Sequence, residues 1–533
     1  MVKVLVADKL AEEGLQRLRE AEGVEVDVRT GLAEDELATA VGGYDGMIIR
    51  SGARVTAKVL AAPGRLRAIA RAGVGVDNVD LEAATRAGIL VMNTPDANTI
   101  ATAEHTVAMM LALARKIPAA CRHVKEGQWQ RSAFMGTQLA DKTLGVVGLG
   151  RVGRAVATRA LGFGMNVVAY DPFYRGQTAL EGSVKLLETL EELLAVSDYL
   201  TLHAVLSDET QGMINAAALD RAKPGIRIIN CARGGLIDEA DLADAIAAGK
   251  VAGAALDVYG AEPPAENPLV GLDQVVCTPH LGASTREAQL AVTVEAVDLL
   301  LDYLLNESIR TAVNVTGFRT PMSERDAVFV DLARRMGAIV STLCTAGIGD
   351  VNITTNGASL EPLGGTLSRY VLTELFRPHL GETVNLINAD SIAADRGIQV
   401  RVTNVKQRED FAENLLVAVQ SGDRPISIEG TVFSDNLPRV IAIDGYRMDM
   451  VPEGPMIIIR NDDQPGVIGL VGTLMGDRQV NIADMTVSRR DKTALIVLKI
   501  DADPPQAVLD ELLARRPPIQ RVRTVSLPPL ERR

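Results

Sequence analysis

The chain has 533 residues, 47% hydrophobic and 23% charged, an ordinary composition for three or four domains of about 150 residues each. Its 55 basic and 68 acidic residues leave a net charge of −13, which excludes a general nucleic-acid binder and obliges any polyanion site to gather its own arginines. The four cysteines (Cys121, Cys231, Cys277, Cys344) have no paired spacing, so reduced thiols in a cytoplasmic protein and no metal site are expected.

The chain opens MVKVLVADKL, too short and too strand-like for a signal peptide. Strands are expected at 2–7, 24–28, 47–50, 66–71 and 89–92, with a helix at 11–21. Such alternation predicts a parallel, doubly wound sheet. The stretch lacks a glycine fingerprint, so it is expected to hold something other than a dinucleotide. A long helix at 99–116 bridges to the next unit.

Residues 140–284 repeat the alternation around the most informative stretch of the chain. An apolar run at 144–147 meets a Gly-x-Gly-x-x-Gly turn at Gly148, Gly150 and Gly153. A helical pattern follows, with Val152, Val156, Ala160 and Phe163 on one face, then a strand at 166–170 and Asp171. The glycines supply a tight turn, close backbone approach to a pyrophosphate, and close helix–strand packing. The helix N-terminus offers free N–H groups and partial positive charge to phosphate. Asp171 lies 18 residues past Gly153, near the expected place for an acid that holds a ribose 2′-OH. Its charge repels a 2′-phosphate, so NAD is expected rather than NADP. Such a turn alone is often only a turn; the two strands and the acid favour nucleotide binding. Later strands are expected at 199–203, 226–231, 253–257 and 274–278, and ligands of open α/β sheets sit beyond the carboxyl ends of strands.

The apolar helical segment at 289–305 is interrupted by Glu295, Asp298 and Asp302, so no membrane span is expected. From about 318 the texture changes. Residues 319–450 mix helical patches with β-rich runs at 398–405 and 440–443. Residues 455–533 give strand, Asp-x-Pro-Gly turn, helix, two strands, a helix at 505–514 and a last strand. The expected fold class is α/β: two doubly wound parallel-sheet (Rossmann-like) domains followed by two C-terminal α+β domains.

Three short motifs end at strand termini of the second unit: NCARGG (230–235), LDVYGAEP (256–263) and TPHLGAST (278–285). They present Arg233, Glu262 and His280. Each alone is more often structural or solvated. Together, at the carboxyl edge of one dinucleotide-binding sheet, they suit removal of a hydroxyl proton while the carbon gives up hydride. Imidazole titrates close to working pH, a paired carboxylate orients it, and arginine offers a fork to a substrate carboxylate. The implied substrate is a 2-hydroxy acid.

With GLGRVG and Asp171, these motifs resemble the NAD-dependent D-2-hydroxyacid dehydrogenases. RSGARVT (50–56), RAGVGVDNVD (71–80), NTPDANTIATAEHTVAMML (93–111) and FMGTQL (134–139) narrow the resemblance to the long-form D-3-phosphoglycerate dehydrogenase family, over essentially the whole length. The resemblance implies oxidation of 3-phospho-D-glycerate to 3-phosphohydroxypyruvate, at the entry to phosphorylated L-serine synthesis. It implies a discontinuous substrate-binding domain (1–97 and 285–317), an NAD-binding domain (98–284), an intervening domain (318–452) and an ACT-like regulatory domain (453–533). By motif, Arg233, Glu262 and His280 match the catalytic Arg, Glu and His. Gly148, Gly150, Arg151, Val152, Gly153, Asp171, Ala204, Cys231, Ala232, Arg233, Asp257, His280, Gly282 and Ala283 match cofactor contacts. Arg50, Ser51, Arg71, Arg233 and His280 match the substrate site, with Arg131 reaching in from a neighbouring subunit of a homo-oligomer, a tetramer or dimer.

Asp463 and Asn481 match a pattern that binds L-serine as effector, although Asn461 stands where related chains carry a larger ring. Ala204-Val205 replaces the family's Thr-Pro after His203. Arg439 and Arg447 suit either a second anion site or a solvated surface. His105, His123 and His379 carry no metal spacing, and Trp129 beside Arg131 is expected to pack or to hold a subunit contact. Two other readings stand beside the main one. One is a D-2-hydroxyacid dehydrogenase acting on glycerate, lactate or 2-hydroxyglutarate; the other is a non-catalytic NAD sensor.

Overall fold

The computed structural model describes all residues except 175, 319–321, 407–410, 434–435, 516 and 531–533. Its first sheet has five parallel strands in the order Val24–Val28, Val2–Val6, Gly46–Ile49, Ala68–Arg71, Leu90–Asn93. The central strands are continuous apolar runs because helices cover both faces. One cover is the long helix Arg286–Asn306, whose Val292, Ala296, Val297 and Leu300 pack against Val4, Ile48 and Ala68. The chain therefore returns to the first sheet after building the second, and Met92 bridges Ala312.

The second sheet runs Val275–Cys277, Val251–Leu256, Ile226–Asn230, Tyr199–Leu202, Thr143–Val147, Asn166–Tyr170, then two short edge strands, Val184–Leu186 and Thr178–Ala179. Its strands from 143 to 277 are parallel except at that short edge. The strand order reverses at Thr143–Val147, which opens a crevice beyond its carboxyl end. Helix Thr99–Ala114 packs on this sheet through Ala103, Val107 and Met110. It stops two residues before the expected 116 because Lys116 is left-handed (φ 52°), and an exposed helix, Ile117–Lys125, follows.

The third sheet is mixed, in the order Val400–Val405, Val351–Asn356, Asn414–Ser421, Arg424–Val432, Pro438–Ile443, Tyr446–Met450, with the first pair parallel and the rest antiparallel. Helices Glu324–Leu343 and Gly364–Leu380 pack against it and each other. The fourth sheet is antiparallel: Ile482–Arg490, Thr493–Ile500, Gly454–Asp462, Ile519–Leu527. Alternation splits its strands between two cores. Ile457 and Ile459 meet helices Val467–Asp477 and Gln506–Ala514, whereas Met456 and Ile458 join the core of the third sheet. Among the described residues no helix is long and apolar enough to cross a membrane.

Candidate active site

The glycine turn lies at the point where the second sheet reverses its strand order. Gly148 has φ 85°, and a Cβ there would sit 2.7 Å from the His203 carbonyl oxygen. A Cβ on Gly153 would run into the Gly148 carbonyl oxygen. At Gly150 the space is open, with nothing within 4 Å of such an atom. Two glycines thus serve packing, and the third leaves the backbone approachable. Gly150 caps helix Arg151–Gly162 without a side-chain bond, so the first N–H groups face outward unsatisfied. Asp171 is fixed beside the turn, its Oδ2 accepting from the Leu149 N–H (2.8 Å) and its Oδ1 from the Phe173 N–H (2.9 Å). Val152 is half-buried on the helix, and the exposed Arg151 is ion-paired with Asp96. An open cradle, free amides and a fixed acid fit the pyrophosphate and ribose of NAD.

Glu262 and His280 come together from separate loops. The Glu262 Oε2 lies 2.8 Å from His280 Nδ1, and its Oε1 accepts from the Tyr259 N–H at 3.2 Å. His280 has φ 55°, a left-handed conformation that its N–H bond to the Asp257 carbonyl (2.9 Å) helps to hold. Asn230, at the end of its strand, shapes the next turn: its Nδ2 donates to the Arg233 carbonyl (2.7 Å) and its Oδ1 accepts from the Ala232 N–H (3.0 Å). Arg233 then crosses to the first sheet's loops. Its Nε donates to Asp77 Oδ2 at 3.2 Å, and its guanidinium lies where a Cβ on Gly75 would be.

Arg71 ends the strand Ala68–Arg71 on that same side. Burial, Arg233 and Arg50 push its guanidinium down to about 10, with Asp77 and Asp8 opposing. Its Nε is buried without a hydrogen-bond partner. Arg50 is anchored by its backbone N–H to Asp8 Oδ2 (2.6 Å) and lines a crevice with Ser284, Arg286 and Gln289; Ser51 beside it is exposed. Three arginines that feel one another electrostatically, one with an orphaned donor, describe a place prepared for an anion.

Behind the histidine, Asp257 is fully buried. Its Oδ1 accepts from the Thr278 hydroxyl (2.6 Å) and the Leu281 N–H (2.7 Å), its Oδ2 from the Gly282 N–H (2.8 Å). Burial raises its carboxyl, but the bonds from His105, Thr278 and Leu281 outweigh it and hold the group below the usual carboxylate range. Burial and Asp257 push the Cys231 thiol up to about 12. His105, Cys231 and Asp257 are of metal-ligating type and lie within 4.8 Å of one another. Here Asp257 braces the 280–282 backbone, and His105 lies against that carboxylate. Ala283 is held through its carbonyl by Gln289 (2.7 Å). Ala204 lies against Gly148, while Val205 next to it is exposed.

Arg50, Arg71 and Arg233 therefore gather where loops of the first two sheets meet, and Glu262 and His280 pair on loops that follow strands of the second. Arg131 does not join them: it is exposed in the turn Arg131–Phe134, near the exposed Trp129. Nor are Asp463 and Asn481 joined by a bond. Asp463 pairs with Arg489 (2.7 Å) and Asn481 donates to Asp501 (2.8 Å), while Asn461 is buried with its Oδ1 unpartnered. Arg439 pairs with Asp449 (3.1 Å). Sequence reasoning missed Asp77, Asn230 and the His105–Asp257 contact. Asp77 stands inside RAGVGVDNVD, but nothing in its spacing points across the cleft to Arg233.

Residues 107–282 match the model of the D-isomer-specific 2-hydroxyacid dehydrogenase NAD-binding domain. Residues 327–444 match the D-3-phosphoglycerate dehydrogenase intervening domain, and 456–516 the ACT domain. The chain is 44% identical over 516 residues to a D-3-phosphoglycerate dehydrogenase of Archaeoglobus fulgidus, covering 96% of this chain and 97% of the relative. It is 38% identical over 532 residues to the Bacillus subtilis protein of that name, covering 99% and 100%. Among solved structures, a Thermus thermophilus protein matches with 39% identity and a TM-score of 0.54, over 58% of this chain and 99% of that one. The apo D-lactate dehydrogenase of Escherichia coli matches with 29% identity and a TM-score of 0.53, over 58% and 99%.

Proposed function

The chain belongs to the D-3-phosphoglycerate dehydrogenase family, and from that premise we propose how its own residues carry out the reaction. It is an NAD-dependent oxidoreductase that converts 3-phospho-D-glycerate to 3-phosphohydroxypyruvate, the first step of phosphorylated L-serine synthesis. Bound NAD supplies the hydride acceptor. Gly148, Gly150 and Gly153 with the following helix hold its pyrophosphate, and Asp171 holds a ribose hydroxyl. Cys231, Ala232, Asp257, Gly282 and Ala283 form the wall at the reacting end.

His280 takes the substrate's hydroxyl proton. Its Nδ1 is committed to Glu262, so Nε2 is the atom left to accept it. Glu262 fixes the ring and stabilises the imidazolium that forms. Arg233 meets the substrate carboxylate and the developing carbonyl oxygen, exchanging its bond to Asp77. Arg71 and Arg50 receive the phosphate, with Ser51 at the rim and Arg131 contributed by a second copy in a homo-oligomer. The ACT domain serves amino-acid regulation, with L-serine near Asp463 and Asn481, and the protein acts in the cytoplasm.

The Glu262–His280 contact carries the oxidoreductase reading, and the crowded, under-bonded Arg71 carries the phosphate. Initial rates of NADH formation from 3-phosphoglycerate, glycerate and lactate test both. 3-Phosphoglycerate is expected to be the best substrate, and Arg71→Ala to raise its KM by about one to two orders of magnitude, the loss of charge-assisted bonds. Equal losses with glycerate and 3-phosphoglycerate would point to another 2-hydroxy acid, and no NADH from any of them to a sensor.

A further inference from the structure

Two arginines of the second domain meet acids of the first, and each is an arginine that a ligand's own anion would need. Arg233 follows the strand Ile226–Asn230, and its Nε donates at 3.2 Å to Asp77 Oδ2, on the loop after the strand Ala68–Arg71. Its Nη1 donates to the Ala232 carbonyl at 2.7 Å, while Nη2 makes no hydrogen bond among the described residues. Nε and Nη2 form an edge of the guanidinium that takes a carboxylate with two parallel bonds, and Asp77 occupies half of it. Gly75 leaves the room in which the pair forms: a Cβ there would meet both the Arg233 guanidinium and Asp77 Oδ2. Asp77 also opposes the effect of Arg233 and Arg50 on the buried Arg71, so one carboxylate answers all three cations. A second pair repeats the arrangement. Arg151, the first residue of the helix behind the glycine turn, is ion-paired through Nε with Asp96, on the loop after the neighbouring strand Leu90–Asn93. The side chains of Arg151, Asp77 and Asp96 are more than half exposed, so neither pair is locked by burial.

We propose that Asp77 and Asp96 are positioning residues that act as placeholders: they hold Arg233 and Arg151 aimed across the junction of the first two domains, and they compete for them with the substrate carboxylate and the NAD pyrophosphate. The proposal rests on Arg233 as the substrate's carboxylate contact and on Arg151 as a cofactor contact. An exposed ion pair is worth little net, because hydration and side-chain entropy offset its Coulomb gain. Exchanging such a pair for a ligand anion therefore costs little, yet the pair keeps a long side chain in place beforehand. The competition weakens ground state and transition state alike, so each acid sets affinity rather than the rate of the chemical step. As a ligand leaves, the acid takes its arginine back, which favours release of product and NADH.

Variants that remove the acids' charge test this by calorimetric titration of the full chain. 3-Phosphoglycerate is titrated onto protein saturated with NADH, a pair that cannot react because both are reduced, and NAD is titrated alone. Asp77→Asn is expected to lower the Kd of 3-phosphoglycerate by about two- to fivefold and to leave that of NAD unmoved. Asp96→Asn should do the reverse, tightening NAD by about two- to fivefold without moving 3-phosphoglycerate. Loss of a merely structural contact would weaken binding, so the sign separates the two roles. NAD should also raise the Tm of Asp96→Asn by more than it raises that of the parent chain. In an Arg233→Gln background Asp77→Asn should have no further effect, because nothing is left to compete for. A Kd raised or unchanged in Asp77→Asn, while Arg233→Gln still raises it, would overturn the proposal and leave Arg233 as the carboxylate contact. A Kd unmoved by Arg233→Gln would overturn that contact and the proposal with it. For the second pair, NAD bound no more tightly by Asp96→Asn than by the parent would overturn the role of Asp96.

Discussion

Glu262 makes two bonds with one carboxylate, to the Tyr259 N–H and to His280 Nδ1. The first fixes the acid and the second fixes the ring, so the charge of the acid, rather than its shape, is what the imidazolium would feel. Glu262→Gln keeps the size and an acceptor oxygen but removes the charge. It is expected to lower kcat by about two to four orders of magnitude, with KM for 3-phosphoglycerate changed by less than about threefold. Steady-state kinetics decides, and a loss confined to KM would move Glu262 from the chemistry to binding. At this scale, residue type and position after a strand were enough to single out Arg233, Glu262 and His280 in the sequence. Asp77 was not legible, because its partner Arg233 is 156 positions away and only the folded loops bring them to 3.2 Å. Arg131 stands apart from the cleft for a related reason: a single chain places only its own loops there.

The strand–turn–helix unit at 143–162 separates packing from binding among its glycines. Gly153 touches the Gly148 carbonyl, so Gly153→Ala forces helix and strand apart and is expected to lower Tm measurably. Gly150 faces open space in an extended conformation that alanine tolerates (φ −70°, ψ −161°). Gly150→Ala should leave Tm nearly unchanged while weakening NAD by about tenfold or more, since its methyl group enters the pyrophosphate's place. Thermal unfolding and NAD titration of both variants check the split; equal effects on both quantities would refute it. The parallel sheets were legible because buried strands write continuous apolar runs between helices. Helix ends were less so: Lys116 turns left-handed where periodicity alone would have carried the helix on. The third sheet was the least legible. Its strand Val351–Asn356 pairs with Val400–Val405 on one side and Asn414–Ser421 on the other, pairings that span long loops and leave no local signature.

Across the molecule, the four sheets fall into an N-terminal pair and a C-terminal pair, and described residues bond across the junction. Arg369 Nη2 donates to the Thr316 carbonyl (3.2 Å) and Asn385 Nδ2 to the Gly88 carbonyl (2.9 Å). An effector bound at the ACT domain would act on the cleft through the third sheet and contacts such as these. L-Serine is expected to lower the rate, and Asn481→Ala, which removes the bond to Asp501, to raise the half-inhibiting concentration by about tenfold or more with basal kcat unchanged. Inhibition surviving in the variant would place the effector elsewhere. Met456, Ile458, Leu495 and Val497 of the fourth sheet lie in the same core as Val417 of the third and Leu332 and Met336 of the helix Glu324–Leu343. The fourth sheet closes one face with its own helices, but its other face shares an interior with the third sheet. The two modules are therefore expected to melt as a single cooperative block, and cutting the chain at their junction would strip a greasy wall bare.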